Sequence, residues 1–387
     1  MTTQSNFALV LSGGGARAAY QVGFLRALAR RFPELSPQII TGVSAGAVNA
    51  AYIANHFGSF AEKIERLRTL WSTLEMDDVY RVASGHLGRN VLRWGLRLMS
   101  GGVGATPRPR SLVDTQPFRD LLVRVLNAPP DGTLTGIEEN LRTGRLRAIA
   151  ITTSSYTTGQ SITWVQGDAI GEWERAQRKS SSCALTVDHV MASAALPLFF
   201  PAVKLMGAWY GDGGIRLTAP LSPAVHLGAD RILAITTRYG RSREEADQPV
   251  IDGYPPPAQV AGVLLNAIFL DQLDGDALRL DRLNRLIEQV PPEKRRGLRH
   301  IDLLVLRPSR DLGKLANEHE PQLPPAFRFM LRGLGTRETR SNDMLSLIMF
   351  QSDYLNDLLE LGEADAEQYA SRIDQLLGVE KKDQVST

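Results

Sequence analysis

The chain has 387 residues, of which 43% are hydrophobic and 22% are charged, as is ordinary for a globular protein with a sizeable core. The 44 Lys and Arg residues nearly balance the 42 Asp and Glu residues, so the net charge of +2 excludes a bulk electrostatic attraction to nucleic acid. The single cysteine, Cys183, excludes an internal disulfide and a cysteine-rich metal site, and we interpret it as a packed thiol.

The chain start, "MTTQSN", is polar and lacks the positive region of a secretory signal. The longest apolar stretch is "VAGVLLNAIFL", residues 260–270, which is much shorter than a bilayer span. We therefore expect a cytoplasmic protein without a transmembrane segment, able to bind peripherally to the inner face of the membrane.

The first predicted elements lie in "FALVLSGGGARAAYQVGFL", residues 7–25. The run "FALVL" predicts a buried parallel strand. A helix that ends before Pro33 is indicated by apolar residues at three- and four-residue intervals: Ala19, Val22, Leu25, Leu28, Ala29 and Phe32. Between them, Gly13, Gly14 and Gly15 would direct backbone N–H groups at a ligand above the loop. A dinucleotide site is disfavoured because Ala18 replaces the third glycine, and no Lys-Ser or Lys-Thr pair completes a P-loop.

The same arrangement recurs in "QIITGVSAGAVNAAYIANH", residues 38–56, where a predicted strand leads through a G-x-S-x-G motif into a predicted helix. This is the setting of a nucleophile elbow, in which a sharp turn exposes a serine at the carboxyl edge of the sheet. Ser44 would be the nucleophile, and Gly42 and Gly46 would leave room for the turn. The motif also occurs by chance, but the glycine loop on a neighbouring strand makes it more specific.

A serine nucleophile needs a base, and the sequence leaves two kinds open. The six histidines are His56, His86, His189, His226, His300 and His319. Only His300, beside a predicted strand, and His319, in a predicted polar loop, are late enough for the α/β-hydrolase order. The other kind is Asp212, which follows a hairpin-like stretch and precedes two glycines that would let it approach another backbone.

Four blocks between residues 11 and 214 occur in a familiar order: "SGGGARAAYQVG", "GVSAG", "DHVMASAALPLFFP" and "GDGG". With them, the sequence resembles the bacterial patatin-like phospholipases of the patatin family of lipid acyl hydrolases. The resemblance implies a three-layer α/β/α fold with a mostly parallel central sheet and a helical C-terminal extension. One departure is Ala18, where the family often has glycine.

The resemblance also implies a catalytic dyad without histidine, in which Ser44 is the nucleophile and Asp212 the general base. It places Gly13, Gly14 and Gly15, together with Arg17, in the oxyanion hole, and it implies no cofactor and no metal. Because an ordinary aspartate is a weak base toward an alcohol, burial must raise its proton affinity. Such a dyad should lose activity only at acid pH, without the inflection of an imidazole near ~6.5.

The function implied is a phospholipase A or lysophospholipase that cleaves carboxylic esters of membrane lipids through an acyl-enzyme. Its partner would be phospholipid or lysophospholipid at a membrane surface, and not nucleic acid. Two alternatives remain open: an acyltransferase on the same dyad, and a lipid-binding regulatory protein whose dyad is idle. The sequence does not define the oligomeric state.

Residues 86–102, "HLGRNVLRWGLRLMSGG", space Arg89, Arg93 and Arg97 four residues apart around Trp94. This pattern is typical of a basic amphipathic helix on anionic lipid, and equally of a solvated helix covering the core. In the predicted organisation, residues 1–240 form the catalytic core. Residues 241–387 form a mostly helical extension with one strand near 301–306 and a disordered tail from about 380.

Overall fold

The computed structural model describes residues 6–81, 111–167, 170–249, 251 and 253–378. The strands in these ranges are β1 Phe7–Leu11, β2 Ile39–Val43, β3 Ala148–Ser155, β4 Ser161–Gly167, β5 Glu174–Arg175, β6 Arg178–Ser182, β7 Val203–Leu205, β8 Ala208–Asp212, β9 Arg231–Ile235 and β10 Asp302–Leu306.

Helices cover both faces of the strands. They are α1 Ala18–Arg31, α2 Ala45–Asn55, α3 Phe60–Ser72, α4 Met76–Val79, α5 Gln116–Val125, α6 Thr135–Arg142, α7 Val187–Ser193, α8 Ser222–His226, α9 Arg243–Ala246, α10 Pro257–Phe269, α11 Gln272–Glu288, α12 Leu312–His319, α13 Pro325–Gly333, α14 Asp343–Ile348, α15 Ser352–Gln368 and α16 Ala370–Leu377. Short 3-10 turns follow the glycine loop at Gly15–Arg17 and the end of β8 at Gly213–Arg216.

The strands form one sheet in the order β10-β9-β1-β2-β3-β4-β6-β5, and β8 joins the outer part of β3 with β7 beside it. The five strands from β10 to β3 are parallel, which brings their carboxyl ends to one edge of the sheet. Antiparallel pairs appear beyond this block, between β3 and β4 and between β3 and β8. The sheet is therefore mostly parallel, as predicted.

The layering follows from the alternation of side chains along buried strands. In β1, Phe7, Leu9 and Leu11 belong to the larger core cluster, with α1, α2 and α15, whereas Ala8 and Val10 belong to a second cluster under α8 and α11. Both faces of the sheet are therefore covered by helices, and the predicted three-layer fold is confirmed.

The C-terminal part of the chain completes this core. β10 extends the parallel sheet beside β9, and α15 packs along α1 with several fully buried residues. The larger cluster contains residues from both sides of position 240. The described residues between 241 and 378 thus pack into the same core as the residues before position 240.

Most local predictions agree with the structure. The strand at residues 7–11, the helix that ends before Pro33, the β7–β8 hairpin and the strand near 301–306 are all present. One prediction was wrong: His319 is the last residue of α12 and not part of a loop, because the polar "NEH" continues the helix that Asp311 caps. Within the described ranges, no helix combines the length and the apolar character needed to cross a bilayer.

Candidate active site

Ser44 occupies the turn between β2 and α2, with φ of 56° and ψ of −132°. A positive φ is strained for a residue with a side chain, and such strain clusters at functional sites. The flanking glycines are required by space. A Cβ at Gly42 would lie 2.5 Å from the Gly46 carbonyl oxygen, and one at Gly46 would lie 2.4 Å from the Leu11 carbonyl oxygen. The strand–turn–helix setting expected of a nucleophile elbow is therefore present.

A buried serine holds this strained turn. The Ser44 N–H donates to Ser193 Oγ at 3.0 Å, and the Ser193 hydroxyl donates to the Thr152 carbonyl oxygen at 2.7 Å. Ser193 is the last residue of α7 and is fully buried. It therefore ties the elbow to β3, and this compensates for the backbone strain at Ser44.

The strand β3 brings Ser44 and Asp212 together. β2 runs parallel to β3 and ends at Val43, opposite Thr152. β8 runs antiparallel to β3 and ends at Asp212, opposite the next residue, Thr153. The other edge of β3 is occupied by β4, so β2 and β8 approach along one edge from opposite directions and meet end to end. Ser44 directly follows this meeting point.

The Asp212 carboxyl group is fully buried. Its Oδ1 accepts a hydrogen bond from the Gly214 N–H at 2.9 Å, whereas Oδ2 has no hydrogen-bond partner among the described residues. Burial raises the pKa of Asp212 to about 7, against the opposing effects of the Ser44 hydroxyl and the Gly214 N–H. A carboxylate with this pKa is a far better proton acceptor near neutral pH than an ordinary aspartate.

This pKa changes the expected pH dependence. If deprotonated Asp212 is the base, turnover of a soluble ester should rise with pH through about 7 and stay level above it. At pH 5 it should be about 1% of the plateau, because two pH units below the pKa leave about 1% of the base. A pH–rate profile of kcat/KM measures this directly, and a rate unchanged between pH 5 and pH 8 contradicts it. This inflection lies close to that of an imidazole, so substitution of Asp212, His300 and His319 is the measurement that distinguishes the dyad from a histidine base.

The glycine loop lies against the elbow. A Cβ at Gly13 would lie 2.9 Å from Ser44 Cβ, and Gly14 and Gly15 line the same cavity as Ser44. Gly14 and Gly15 have φ of 148° and 55°, which favour glycine. Among the described residues, the N–H groups of the three glycines have no hydrogen-bond acceptor. They are therefore available to a negatively charged oxygen formed beside Ser44.

The side chain of Arg17 binds residues of α14. Its Nε donates to Ser346 Oγ at 2.7 Å, its Nη2 donates to Asp343 Oδ1 at 2.6 Å, and its backbone N–H donates to the Gly14 carbonyl oxygen. The buried guanidinium is thus bound to α14, because a charge at this depth requires a paired carboxylate. Arg17 therefore links the glycine loop to α14 through its Nε and Nη2 donors, and its part in the oxyanion hole stays a prediction.

The pair between Arg17 and Asp343 should be important for stability. The Arg17 side chain is 3% exposed, so Asp343→Ala leaves a buried charge without its carboxylate and should lower the free energy of unfolding by about 3–5 kcal/mol. Asp374→Ala is the matched control, since it removes the partner of Arg31, whose side chain is 48% exposed, and should cost about 0–1 kcal/mol. Urea unfolding of both variants tests this; equal losses would contradict it.

The cavity beside Ser44 is almost entirely apolar. One wall is formed by residues of α2 and α3, which follow the elbow, and another by residues of α14. Its lining comprises Gly14, Gly15, Ser44, Ala45, Val48, Leu70, Trp71, Leu74, Val79, Phe118, Leu121, Leu122, Val125, Ala194, Leu196, Phe200, Phe269, Leu347, Ile348 and Phe350. Such a cavity suits a hydrocarbon chain, and the described residues that line it include no charged side chain and no histidine.

The histidines have other partners. The five within the described residues lie outside the cavity lining and are His56, His189, His226, His300 and His319. Of the two late candidates, His300 is exposed beside Glu288 and Asp302, and His319 Nε2 lies 2.8 Å from Asp357 Oδ2. Neither has a serine hydroxyl as its partner, so among the five described histidines none is placed to relay a proton from Ser44.

Cys183 does not form a second reactive centre. Its Sγ lies 3.6 Å from His189 Nε2, but burial raises the pKa of the thiol to about 11 and lowers the pKa of His189 to about 4. Both groups are therefore neutral at physiological pH, and no thiolate forms. In the described part of the chain, no three His, Cys, Asp or Glu side chains are grouped to hold a metal ion.

The predicted membrane-facing residues lie outside the described residues. They are Arg89, Arg93, Trp94 and Arg97, and His86 of the same segment is also outside the described residues. The same is true of the predicted tail from about 380. The membrane-facing segment and the disordered tail therefore stay predictions.

Sequence reasoning missed several residues of the site. Ser193 is the last residue of α7 and Asp343 is the first residue of α14, and only their contacts reveal that they hold the elbow and the glycine loop. Ala45 could have been found, because the N–H after the serine of G-x-S-x-G commonly completes an oxyanion hole. Phe269 packs on Gly214 and lines the cavity, which required the fold to bring α10 to this edge.

Comparison with known proteins identifies the family. The family model described as patatin-like phospholipase matches residues 9–225. Because this match covers more than half of the chain, the protein belongs to the patatin-like phospholipase family. No curated protein matches the sequence.

Three solved structures that resemble the fold come from two bacteria and from human. VipD from Legionella pneumophila matches with 14% identity and a TM-score of 0.38, over 97% of this chain and 67% of that one. Human GIVD cytosolic phospholipase A2 matches with 14% identity and a TM-score of 0.43, over 97% and 58%. ExoU in complex with SpcU from Pseudomonas aeruginosa matches with 16% identity and a TM-score of 0.27, over 96% and 79%. The chain thus spans less than two thirds of the length of the human enzyme.

Proposed function

We propose that the protein is a serine lipid acyl hydrolase of the phospholipase A or lysophospholipase type, in which Ser44 and Asp212 act as a dyad. The observation that carries the proposal is the buried carboxyl group of Asp212, which lies where β8 meets the end of β2, close enough to the Ser44 hydroxyl for that hydroxyl to lower its pKa. Among the described residues, its Oδ2 has no hydrogen-bond partner of ordinary geometry. A buried carboxylate oxygen left unpaired is costly, and such a cost is typical of a functional group.

The reaction proceeds in two halves. Asp212 accepts the proton of the Ser44 hydroxyl as Oγ attacks the ester carbonyl carbon, and the carbonyl oxygen becomes negatively charged. The N–H groups of Gly13, Gly14 and Gly15, with that of Ala45, donate to this oxygen. The intermediate expels the alcohol, which takes the proton from Asp212 and leaves an acyl-enzyme. Water then attacks the acyl group and gives a proton to Asp212. As the second tetrahedral intermediate collapses, Asp212 returns this proton to Ser44 Oγ, so that the fatty acid leaves and the free serine is restored.

The substrate class follows from the cavity. Its apolar lining from α2, α3 and α5 would hold one acyl chain, while the polar head group stays outside. Burying a methylene group contributes about 0.8 kcal/mol, so a long chain supplies substantial binding energy. The patatin-like phospholipase family to which the chain belongs agrees with a lipid ester as substrate.

The proposal is tested by incubating the purified protein with a panel of phospholipids and lysophospholipids and identifying the products by mass spectrometry. We expect free fatty acid and the matching lysolipid or glycerophospho-alcohol, and neither product from the Ser44→Ala protein. Transfer of the acyl chain to an added lysolipid in preference to water would instead define an acyltransferase. If the parent protein released fatty acid from every lipid no faster than Ser44→Ala does, the protein would bind lipid without catalysis.

A further inference from the structure

The helix α10, Pro257–Phe269, has its polar residues turned toward the protein. Gln259 Oε1 accepts a hydrogen bond from the Thr339 hydroxyl at 2.6 Å, and Asn266 Nδ2 donates to Asp343 Oδ2 at 2.7 Å. The sequence "PAQVAGVLLNAIF" contains no charged residue. A helix on the surface of a protein in water ordinarily shows the reverse pattern, with its polar face outside.

The outward face of α10 is purely apolar. Its exposed positions follow the spacing of one helical face and are all apolar: Pro257, Val260, Val263, Leu264 and Ala267. Val263 and Leu264 are 56% and 57% exposed. We call these five residues the apolar face of α10. Contiguous apolar surface of this kind, without intervening charges, marks an interaction site.

The same helix continues into the candidate active site. Phe269, its last residue, lines the cavity that holds Ser44, and its ring contacts the position where a Cβ of Gly214 would lie. At the middle of the helix, Gly262 packs against Asp343, the residue that binds Arg17 of the glycine loop. A surface that docks on the apolar face of α10 would therefore lie next to the cavity into which an acyl chain must pass.

We propose that the apolar face of α10 is an interfacial lipid-binding surface that inserts into the outer part of a bilayer and aligns the cavity with the acyl chains. The role of this surface in catalysis rests on the proposed function, whereas its binding to lipid does not. Because α10 carries no charged residue, its insertion requires no charged lipid. The free energy of insertion comes from the apolar area removed from water. A bilayer fits the continuity of this face with an apolar cavity, because both would take up the same hydrocarbon.

The test measures partition of the Ser44→Ala protein onto phosphatidylcholine vesicles, so that binding is observed without turnover. In this background Leu264→Asp should reduce the partition coefficient by about tenfold or more, given the area of one leucine side chain. The matched control is Leu298→Asp, which alters a leucine that is 58% exposed shortly before β10, at the sheet edge opposite Ser44. The control should bind vesicles like the parent protein.

Two further measurements keep the test independent of the proposed function. With Ser44 intact, Leu264→Asp should keep kcat/KM on a soluble short-chain ester, because Leu264 is not part of the cavity lining, and should lose activity only on vesicles. Equal vesicle binding by both aspartate variants would overturn the proposal, whether or not esters are hydrolysed. It would also be overturned if Leu264→Asp unfolded the protein or dissociated a dimer seen by light scattering without lipid, because the face would then be covered by protein.

Discussion

Ser44→Ala should abolish labelling of the protein by a fluorophosphonate probe and reduce ester turnover by roughly three orders of magnitude or more. The probe reacts with a serine oxygen that a nearby base activates, and Ser44 is the serine that lies beside Asp212 at the end of β2. Gel-based labelling and initial rates on a soluble ester measure both effects. Labelling that survives the substitution would place the nucleophile elsewhere.

A matched control for this experiment is Ser12→Ala. Ser12 lies directly before the glycine loop, and its hydroxyl donates to the Gly13 carbonyl oxygen at 3.2 Å, but it is not part of the cavity lining. Labelling and turnover should persist in this variant. If both serine variants lost labelling equally, a disturbed loop would explain the result as well as a missing nucleophile.

Asp212→Asn should reduce turnover about as far as Ser44→Ala, because the amide has the shape of the carboxyl group but cannot accept the proton. The double variant should be little slower than either single variant, since residues that act as one unit are not additive. Initial rates of the three proteins on one soluble ester measure this. Additive losses would mean that the two residues act separately.

The same substitution should stabilise the fold at neutral and alkaline pH. The folded-state pKa of Asp212, about 7, lies above the ordinary value of 3.8, so the folded protein holds a proton that the unfolded chain releases. The stabilisation that the protonated Asp212 gives the folded state is therefore complete below about pH 3.8 and is lost as the pH rises to about 7. At 1.36 kcal/mol per pKa unit, the buried carboxylate costs on the order of 4 kcal/mol at pH 8.

Thermal unfolding at two pH values tests this consequence. Asp212→Asn should raise Tm by several degrees at pH 8, and by little at pH 4, where both proteins are neutral at this position. Such a gain in stability together with a loss of activity is typical of a group kept for catalysis. If Tm were unchanged at pH 8, the carboxylate would not carry the desolvation cost on which its basicity depends.

Local patterns in the sequence predicted the elements that carry the site. The run at residues 7–11, the helical spacing up to Phe32 and the G-x-S-x-G motif each depend on neighbours within a few positions. Backbone conformation is decided largely at this range for turns and buried strands, so the elbow and the glycine loop could be placed without the fold.

Features of the site that depend on long-range contacts could not be predicted from the sequence. The approach of Asp212 to Ser44 depends on the register of β2 and β8 along β3, and a shift by one residue would turn the side chains to the other face. The partner of Arg17 lies 326 residues away, and no local pattern marks it. Asp212 was expected to be buried, but a pKa near 7 follows only from the burial that the fold produces.

The most direct measurement of the central claim compares initial rates of phospholipid hydrolysis by the parent protein, Ser44→Ala, Asp212→Asn, His300→Gln and His319→Gln at pH 8. The dyad predicts that the first two variants lose activity to the same extent, and that both histidine variants keep most of it. A histidine variant as inactive as Ser44→Ala, together with an active Asp212→Asn protein, would contradict the dyad and would indicate a serine–histidine hydrolase instead.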